Sequence, residues 1–297
     1  MDLSLAHENE LTREVFRELE TRYDPGQRAL WCYLNPVSRP CCSLDLLSDY
    51  RRLLHATEQR VKQDAASGDR DSLRYLVIAS RTPGVFNLGG DLVLFLELIR
   101  AGNREGLFEY AKTCVDLLYA SLNLPITTIS LVQGDALGGA FEGALGCRVL
   151  VAEKRAQMGF PEILFNMFPG MGAYSLLSRR LGAARAERLI LSGRLYKAED
   201  LHEMGVVDVL AEDGDGEEAV RSYIRKQSRA ANGYEAIRRI RQRYEAIPYE
   251  ELLDITREWV DASFRLTERD LRIMERFANS QEKLVPLRSQ SRLSRIA

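Results

Sequence analysis

Histidine is scarce in this 297-residue sequence, with only His7, His55 and His202, and none stands near a cysteine or another histidine at metal-ligand spacing. Zinc chemistry and a histidine-based triad are therefore poorly supported, and no metal is expected. The five cysteines, Cys32, Cys41, Cys42, Cys114 and Cys147, are odd in number, and the adjacent pair Cys41 and Cys42 cannot easily close an unstrained disulfide. Reduced, mostly buried thiols are the expectation. Charge of one sign is not in excess, since 41 basic and 43 acidic residues give a formal net charge of -2. There is no basic field of the kind that condenses onto nucleic acid. No run approaches the roughly 18 uninterrupted apolar residues of a membrane span, and MDLSLAHENELTREVF carries acids and no apolar signal core. A cytoplasmic chain without a membrane span is expected. Neither GxGxxG nor GxxxxGK[ST] occurs, so dinucleotide and P-loop readings fail. The chemistry has to rest on other groups.

What is present is an ordinary globular composition, 45% hydrophobic and 28% charged, enough for one large core or two smaller ones. Residues 10–24 read as a short charged helix, and residues 29–37 (ALWCYLNPV) as a strand ending at Pro36. Helical spacing returns over 44–61, followed by the nearly all-apolar strand LRYLVIA at 73–79, of the kind covered on both faces. The turn-rich RTPGVFNLGGD leads into a helix from Leu92 and a longer one over 105–122. A second cycle follows: strand ITTISLV at 126–132, turn QGDALGG, helix AFEGALG. Shorter strands are expected over 148–152 and 157–160. This alternation predicts an α/β fold with a mostly parallel sheet and covering helices. From Glu217 onward the pattern is helical and highly charged, with one long helix expected over 249–278 and a mobile Ser- and Arg-rich tail after Val285. An acidic, glycine-containing stretch at 211–218 suggests a boundary between an α/β core with an N-terminal extension, residues 1–215, and a helical domain, residues 216–297.

Two glycine pairs, Gly89-Gly90 and Gly138-Gly139, stand where apolar strands give way to helices, positions at which free backbone amides can point at an anion. They can equally serve only as tight turns. Two separate amides aimed at one oxygen would form an oxyanion hole. From Ala136 to Ala152 the only charges are Glu142 and Arg148, so Glu142 is a carboxylate in apolar surroundings, whose burial should raise its pKa. It stands about one helical turn, roughly 4.5 Å of rise, beyond Gly139. An ion pair with Arg148 is the alternative. Glu162 is likewise isolated, with no other charge between Arg155 and Arg179; Pro161 before it also allows a plain helix N-terminus favouring an acid. Two carboxylates and two sets of amides together favour a catalytic site.

The segments LGGD at 88–91, QGDALGGAFEGALGCRVLVA at 133–152, MGFPEILFNMFPGMGAYSLLSRRLG at 158–182 and LSGRLYKAEDLHEMGVVDVL at 191–210 resemble the signature segments of the crotonase (enoyl-CoA hydratase/isomerase) superfamily. The likeness covers roughly the middle half of the chain. Within the superfamily, VFNLGGDLVLFLELIRAGNREGLFEYAKTCVD, NMFPGMGAYSLLSRRLG and the N-terminal RALWCYLNPVSRPC are most similar to RpfF-type diffusible-signal-factor synthases; ordinary hydratases more often read AGAD where this chain has LGGD. The resemblance implies a spiral of ββα units with a C-terminal helical domain, assembled as a trimer or a dimer of trimers. It implies an oxyanion hole from the peptide NH groups of Gly90 and Gly139, with Glu142 and Glu162 as the acid/base pair.

It further implies dehydration of a 3-hydroxyacyl group on acyl carrier protein and cleavage of the thioester, releasing a cis-2-unsaturated fatty-acid quorum-sensing signal. No cofactor is expected beyond the phosphopantetheine of the carrier protein or of CoA. Candidates for an acyl pocket are Met167, Phe168, Met171, Trp259 and Phe277, each of which helix packing would also explain. A generic enoyl-CoA hydratase or isomerase that keeps its CoA thioester intact remains open. So does a regulatory role, because signal synthases of this type associate with sensor proteins.

Overall fold

The computed structural model describes residues 15–67 and 72–283. The expected tail after Val285, and residues 10–14 of the expected first helix, lie outside the described residues. The rest of that helix is replaced by a strand: β1 (Leu19–Asp24) pairs antiparallel with β2 (Ala29–Leu34) across a tight turn at 25–28. Its charges misled the reading. Arg22 lies over the rings of Trp31 and Tyr33 and bridges to Glu217, so the polar side chains of LETRYD decorate a sheet edge, not a helix face.

β2 continues in parallel into β3 (Tyr75–Ser80), β5 (Thr127–Val132), β7 (Val149–Glu153) and β10 (Val209–Ala211), which completes a six-stranded sheet in the order β1-β2-β3-β5-β7-β10. A second sheet of four very short strands, β4 (Val85–Asn87), β6 (Asp135–Leu137), β8 (Gln157–Gly159) and β9 (Leu195–Lys197), stands beside it. Each long strand β3, β5 and β7 is followed by a short one, β4, β6 and β8, before the chain turns into helix. That repeated ββα step is the expected spiral. The segment QGDALGG therefore contains a strand, β6, which the sequence reading had as turn alone.

Alternation along the strands explains why both faces of the large sheet are covered. Leu30, Cys32, Leu76, Ile78 and Leu150 point into the main core, while Trp31, Tyr33, Val77, Ile129, Leu131 and Val151 face the other way. There they meet Val220 and Ile224 of a later helix, α8 (Gly216–Arg229). The main core is closed by α1 (Leu44–Ser67), α2 (Leu92–Arg100), α3 (Arg104–Asn123) and α4 (Gly139–Leu145). Three further helices, α5 (Ala173–Leu181), α6 (Ala183–Leu191) and α7 (Ala198–Glu203), lead to β10.

Past α8 and α9 (Ala231–Tyr244), the expected long helix over 249–278 is two helices, α10 (Tyr249–Ser263) and α11 (Glu268–Lys283). The break has a local cause. Thr267 and Asp270 exchange side-chain-to-backbone hydrogen bonds, with the Thr267 N–H donating to Asp270 Oδ2 at 2.9 Å and the Asp270 N–H donating to Thr267 Oγ1 at 3.4 Å. This capping box starts a new helix after four intervening residues, 264–267. The break lets α10 pack on α3 while α11 turns to lie against α2.

Leu150 is fully buried on β7, between β5 and β10 of the large sheet. Leu150→Ala is expected to lower the unfolding free energy by about 2–5 kcal/mol, measured by urea denaturation, because the rigid strands around it cannot collapse into the cavity.

Candidate active site

The loop between β4 and α2 carries the first glycine pair, and its polar backbone groups can be accounted for one by one. The Leu88 N–H donates to the Pro40 carbonyl at 2.7 Å and the Gly89 N–H to Asn87 Oδ1 at 2.9 Å. The Gly89 carbonyl accepts from the Cys42 N–H at 2.7 Å, and the Asp91 N–H donates to the Tyr110 hydroxyl at 3.2 Å. The carbonyls of Leu88 and Gly90 both accept from Gln281 Nε2. Between the Leu88 and Asp91 amides, the Gly90 N–H is the one group without a partner among the described residues. Asp91 then caps α2, accepting from the Leu94 N–H at 3.2 Å, and is itself held by Arg39 at 3.0 Å.

The second pair opens α4. Gly138 has φ 52° and ψ -124°, a conformation that favours glycine, and no side chain caps the helix, which leaves the Gly139 N–H at the first helical position unpaired. The two glycine loops touch: a Cβ added to Gly89, at φ 83°, would sit 2.4 Å from the Leu137 carbonyl oxygen and 3.1 Å from the Gly139 nitrogen. A Cβ on Gly139 would lie 3.5 Å from the Gly90 nitrogen and 3.9 Å from Glu142 Oε2. Both free amides and one carboxylate thus border a single small space.

Glu142 is only 2% exposed, so its carboxylate is withdrawn from water. Its Oε1 accepts from the N–H groups of Met171 and Ala173, each at 2.9 Å. Burial raises its pKa to about 7, opposed by those backbone hydrogen bonds. The ion pair with Arg148 does not form; the Arg148 guanidinium turns away and donates to the Leu122 carbonyl at 3.3 Å.

Glu162 lies in the first turn of a short 3-10 helix (Pro161–Phe165) behind Pro161, so the local geometry of a helix N-terminus is present. Its carboxylate nevertheless points inward. A Cβ on Gly138 would meet Glu162 Oε1 at 2.2 Å, and Oε2 is buried without a hydrogen-bond partner. Although the residue as a whole is only half-buried, the withdrawal of its carboxylate raises the pKa to about 8, with the nearby Glu142 charge adding to the effect. The missing side chain at Gly138 is what makes room for this carboxylate.

Two cavities meet at this point and share Gly90, Gly139, Glu142 and Met171. The outer one holds both glutamates, and its wall includes Met167, Trp259 and Phe277. Of the expected pocket residues, Phe168 packs half-buried against the core and lines neither cavity. The inner one runs into the core between α1, α3 and α4 and has an almost wholly apolar wall. Its deep end carries Leu47, Cys147 and the Tyr50 hydroxyl, which is 3.2 Å from Ser121 Oγ. Of its wall, the sequence reading had only Gly90, Gly139, Glu142 and Met171. All five cysteines are free, with Cys42, Cys114 and Cys147 in the inner wall; no group of three or more metal-ligating side chains occurs among the described residues.

A family model described as enoyl-CoA hydratase/isomerase matches residues 64–254. The mitochondrial methylglutaconyl-CoA hydratase of Rattus norvegicus is 33% identical over 159 residues, 53% of this chain and 49% of that protein. The peroxisomal fatty acid beta-oxidation multifunctional protein AIM1 of Arabidopsis thaliana is 30% identical over 149 residues, 50% of this chain and 20% of that protein. The chain therefore spans about half the length of the first relative and a fifth of the second. Among solved structures, an enoyl-CoA hydratase from Bacillus halodurans superposes with a TM-score of 0.71 at 22% identity, over 87% of this chain and 99% of that one. Pseudomonas aeruginosa DspI does so with a TM-score of 0.66 at 24% identity, over 82% and 94%. At these identities the structural likeness speaks for the fold.

The two raised pKa values make a stability prediction with a definite sign. Folded Glu142 and Glu162 hold protons that the unfolded chain releases near pH 4.5, so their contribution is fully present below that value and is lost as pH rises through about 7 and 8. From about pH 6 to about pH 8.5 the wild type should lose on the order of 2–4 kcal/mol more than the double variant Glu142→Gln/Glu162→Gln, read by denaturant titration.

Proposed function

Because the chain belongs to the enoyl-CoA hydratase/isomerase family, we propose that it dehydrates a 3-hydroxyacyl thioester at the junction of the two cavities and then hydrolyses the thioester. The observation that carries this reading is the convergence of two unpaired backbone amides and two desolvated carboxylates on the mouth of an inner apolar cavity. Removal of the proton next to a thioester carbonyl forms an enolate whose charge collects on the carbonyl oxygen. The Gly90 and Gly139 amides stabilise that charge more in the transition state than in the bound substrate. One glutamate takes the α-proton; the other gives its proton to the departing 3-hydroxyl, and water leaves. Between about pH 7 and 8 the pair holds close to one proton, the state this exchange needs. The two roles are assigned to Glu142 and Glu162 jointly.

In the second step a water, deprotonated by one of the carboxylates, adds to the thioester carbonyl over the same two amides. The thiol leaves with a proton, and the free acid remains. Neither step requires a cysteine or serine nucleophile. We assign the acyl chain to the inner cavity because of its apolar wall, and the carrier side to the outer one, whose wall includes Met167, Trp259 and Phe277. Our reading is that of a diffusible-signal-factor synthase acting on an acyl carrier protein substrate, assembled as a homo-trimer or hexamer, with a sensor protein as a further partner. A second reading, a hydratase that leaves its CoA thioester intact, is favoured by the relative named methylglutaconyl-CoA hydratase.

Incubation with 3-hydroxydodecanoyl thioesters of acyl carrier protein and of CoA, followed by mass spectrometry, separates these. Free cis-2-dodecenoic acid released from the carrier-protein substrate is the expected product. Glu142→Gln and Glu162→Gln should each reduce turnover by about 10²–10⁴-fold without loss of thermal stability. Reversible formation of a trans-enoyl-CoA with no free acid would favour the second reading, and absence of any turnover would refute both.

A further inference from the structure

Two of the ties that fix the Gly90 loop come from one side chain far along the chain. Gln281, 4% exposed near the end of α11, donates through Nε2 to the Leu88 carbonyl at 3.1 Å and to the Gly90 carbonyl at 2.9 Å. Its Oε1 accepts from the Leu92 N–H at 3.4 Å. These bonds bracket the one unpaired amide of the loop. The Gly90 N–H shares a peptide plane with the Gly89 carbonyl, which the Cys42 N–H holds from the opposite side, so the trans peptide aims the N–H away from Cys42. Whether that plane stays in place depends on its neighbours. Leu88–Gly89 and Gly90–Asp91 are the flanking planes, and Gln281 holds the carbonyl of each.

Adjacent glycines are the part of a backbone with most freedom to reorient, so a loop built on Gly89 and Gly90 needs anchors from outside itself. The helix that supplies this anchor is seated independently. Met274 and Phe277, on the same face of α11 as Gln281, line the outer cavity, and the Phe277 ring packs edge-on against Phe165 at 5.5 Å.

We propose that Gln281 is a positioning residue for the reaction: by holding the carbonyls on both sides of Gly90, it keeps that amide aimed at the thioester oxygen. The inference rests on the reading of Gly90 as an oxyanion donor. It makes the C-terminal helix part of the catalytic apparatus without touching the reacting atoms.

Two variants test it. Gln281→Met keeps length and volume but removes every hydrogen bond; Gln281→Glu keeps the acceptor for Leu92 and sets a carboxylate oxygen against the two carbonyls. In both, kcat should fall about 10–100-fold with KM within about threefold of wild type, and in Gln281→Met, which adds no charge to the cavity holding both glutamates, both limbs of the pH profile should stay unmoved. Amide exchange read by mass spectrometry should accelerate by roughly tenfold or more over residues 88–92 and stay unchanged over 139–145. A kcat within twofold of wild type, a loss confined to KM, or unchanged exchange at 88–92 would overturn the proposal. Should the wild type turn over no thioester, the functional reading fails by itself, and the exchange measurement still decides whether Gln281 holds the loop.

Discussion

A carboxylate taken out of water is the constraint around which the rest of this molecule is arranged. Glu142 sits on a short helix inside the main core, and an ionised group there is costly unless the protein replaces the lost hydration. The replacement is partial, with two backbone N–H groups on one oxygen and an open cavity beside the other. Glu162 receives less, since its buried Oε2 has no hydrogen-bond partner among the described residues. Two such groups near each other cannot both ionise cheaply, and the mutual repulsion leaves the pair close to neutral pH with one proton to exchange. A fold selected only for stability has little use for this arrangement; a catalyst that must take one proton and give another does.

The ββα spiral brings the parts together. Each long strand ends beside its neighbours, and the short strand that follows it turns the chain toward the same edge, so the loops after β4, β6 and β8 converge. The first two loops deliver the free amides of Gly90 and Gly139; the third delivers Glu162. Close approach of these loops depends on the absence of side chains at particular atoms, at Gly89 against the Leu137 carbonyl and at Gly138 against the Glu162 carboxylate. The aromatic contacts of Phe95 with Tyr110 at 5.0 Å and with Trp259 at 5.2 Å tie α2, α3 and α10 together around the same place. The C-terminal helices are thus involved in the site through packing, through the cavity wall and through Gln281.

Much of this was legible in the sequence where a single element carries the signal. The buried parallel strands announced themselves by uncharged runs rich in β-branched residues such as ITTISLV, and the glycine pairs and lone glutamates by contrast with their apolar surroundings. β1 was not legible, because the charges of LETRYD find their partners only in the fold, Glu20 on Arg81, Arg22 on Trp31, Tyr33 and Glu217, and Asp24 on Arg221. The strands of the small sheet span three residues each, too short for alternation to register. The break at Thr267 did have a signal, the capping pair with Asp270, which the long apolar periodicity on either side obscured. The inner cavity has no linear signature at all, since its wall is assembled from residues as far apart as Leu34 and Met171. Gln281 was hidden for the same reason, being one polar residue in a highly charged helix.

The account stands on the two carboxylates being desolvated and coupled, and that is directly measurable. The side-chain carboxyl ¹³C resonances of the glutamates should be followed by NMR from about pH 3 to about pH 10 in the wild type and in Glu142→Gln. Two resonances should titrate far above the ordinary range, near 7 and 8, and removal of the Glu142 charge should move the Glu162 titration downward. If every glutamate titrates near 4.5, or if Glu162 is indifferent to the loss of Glu142, the two groups are not the proton-sharing pair on which the proposed chemistry depends.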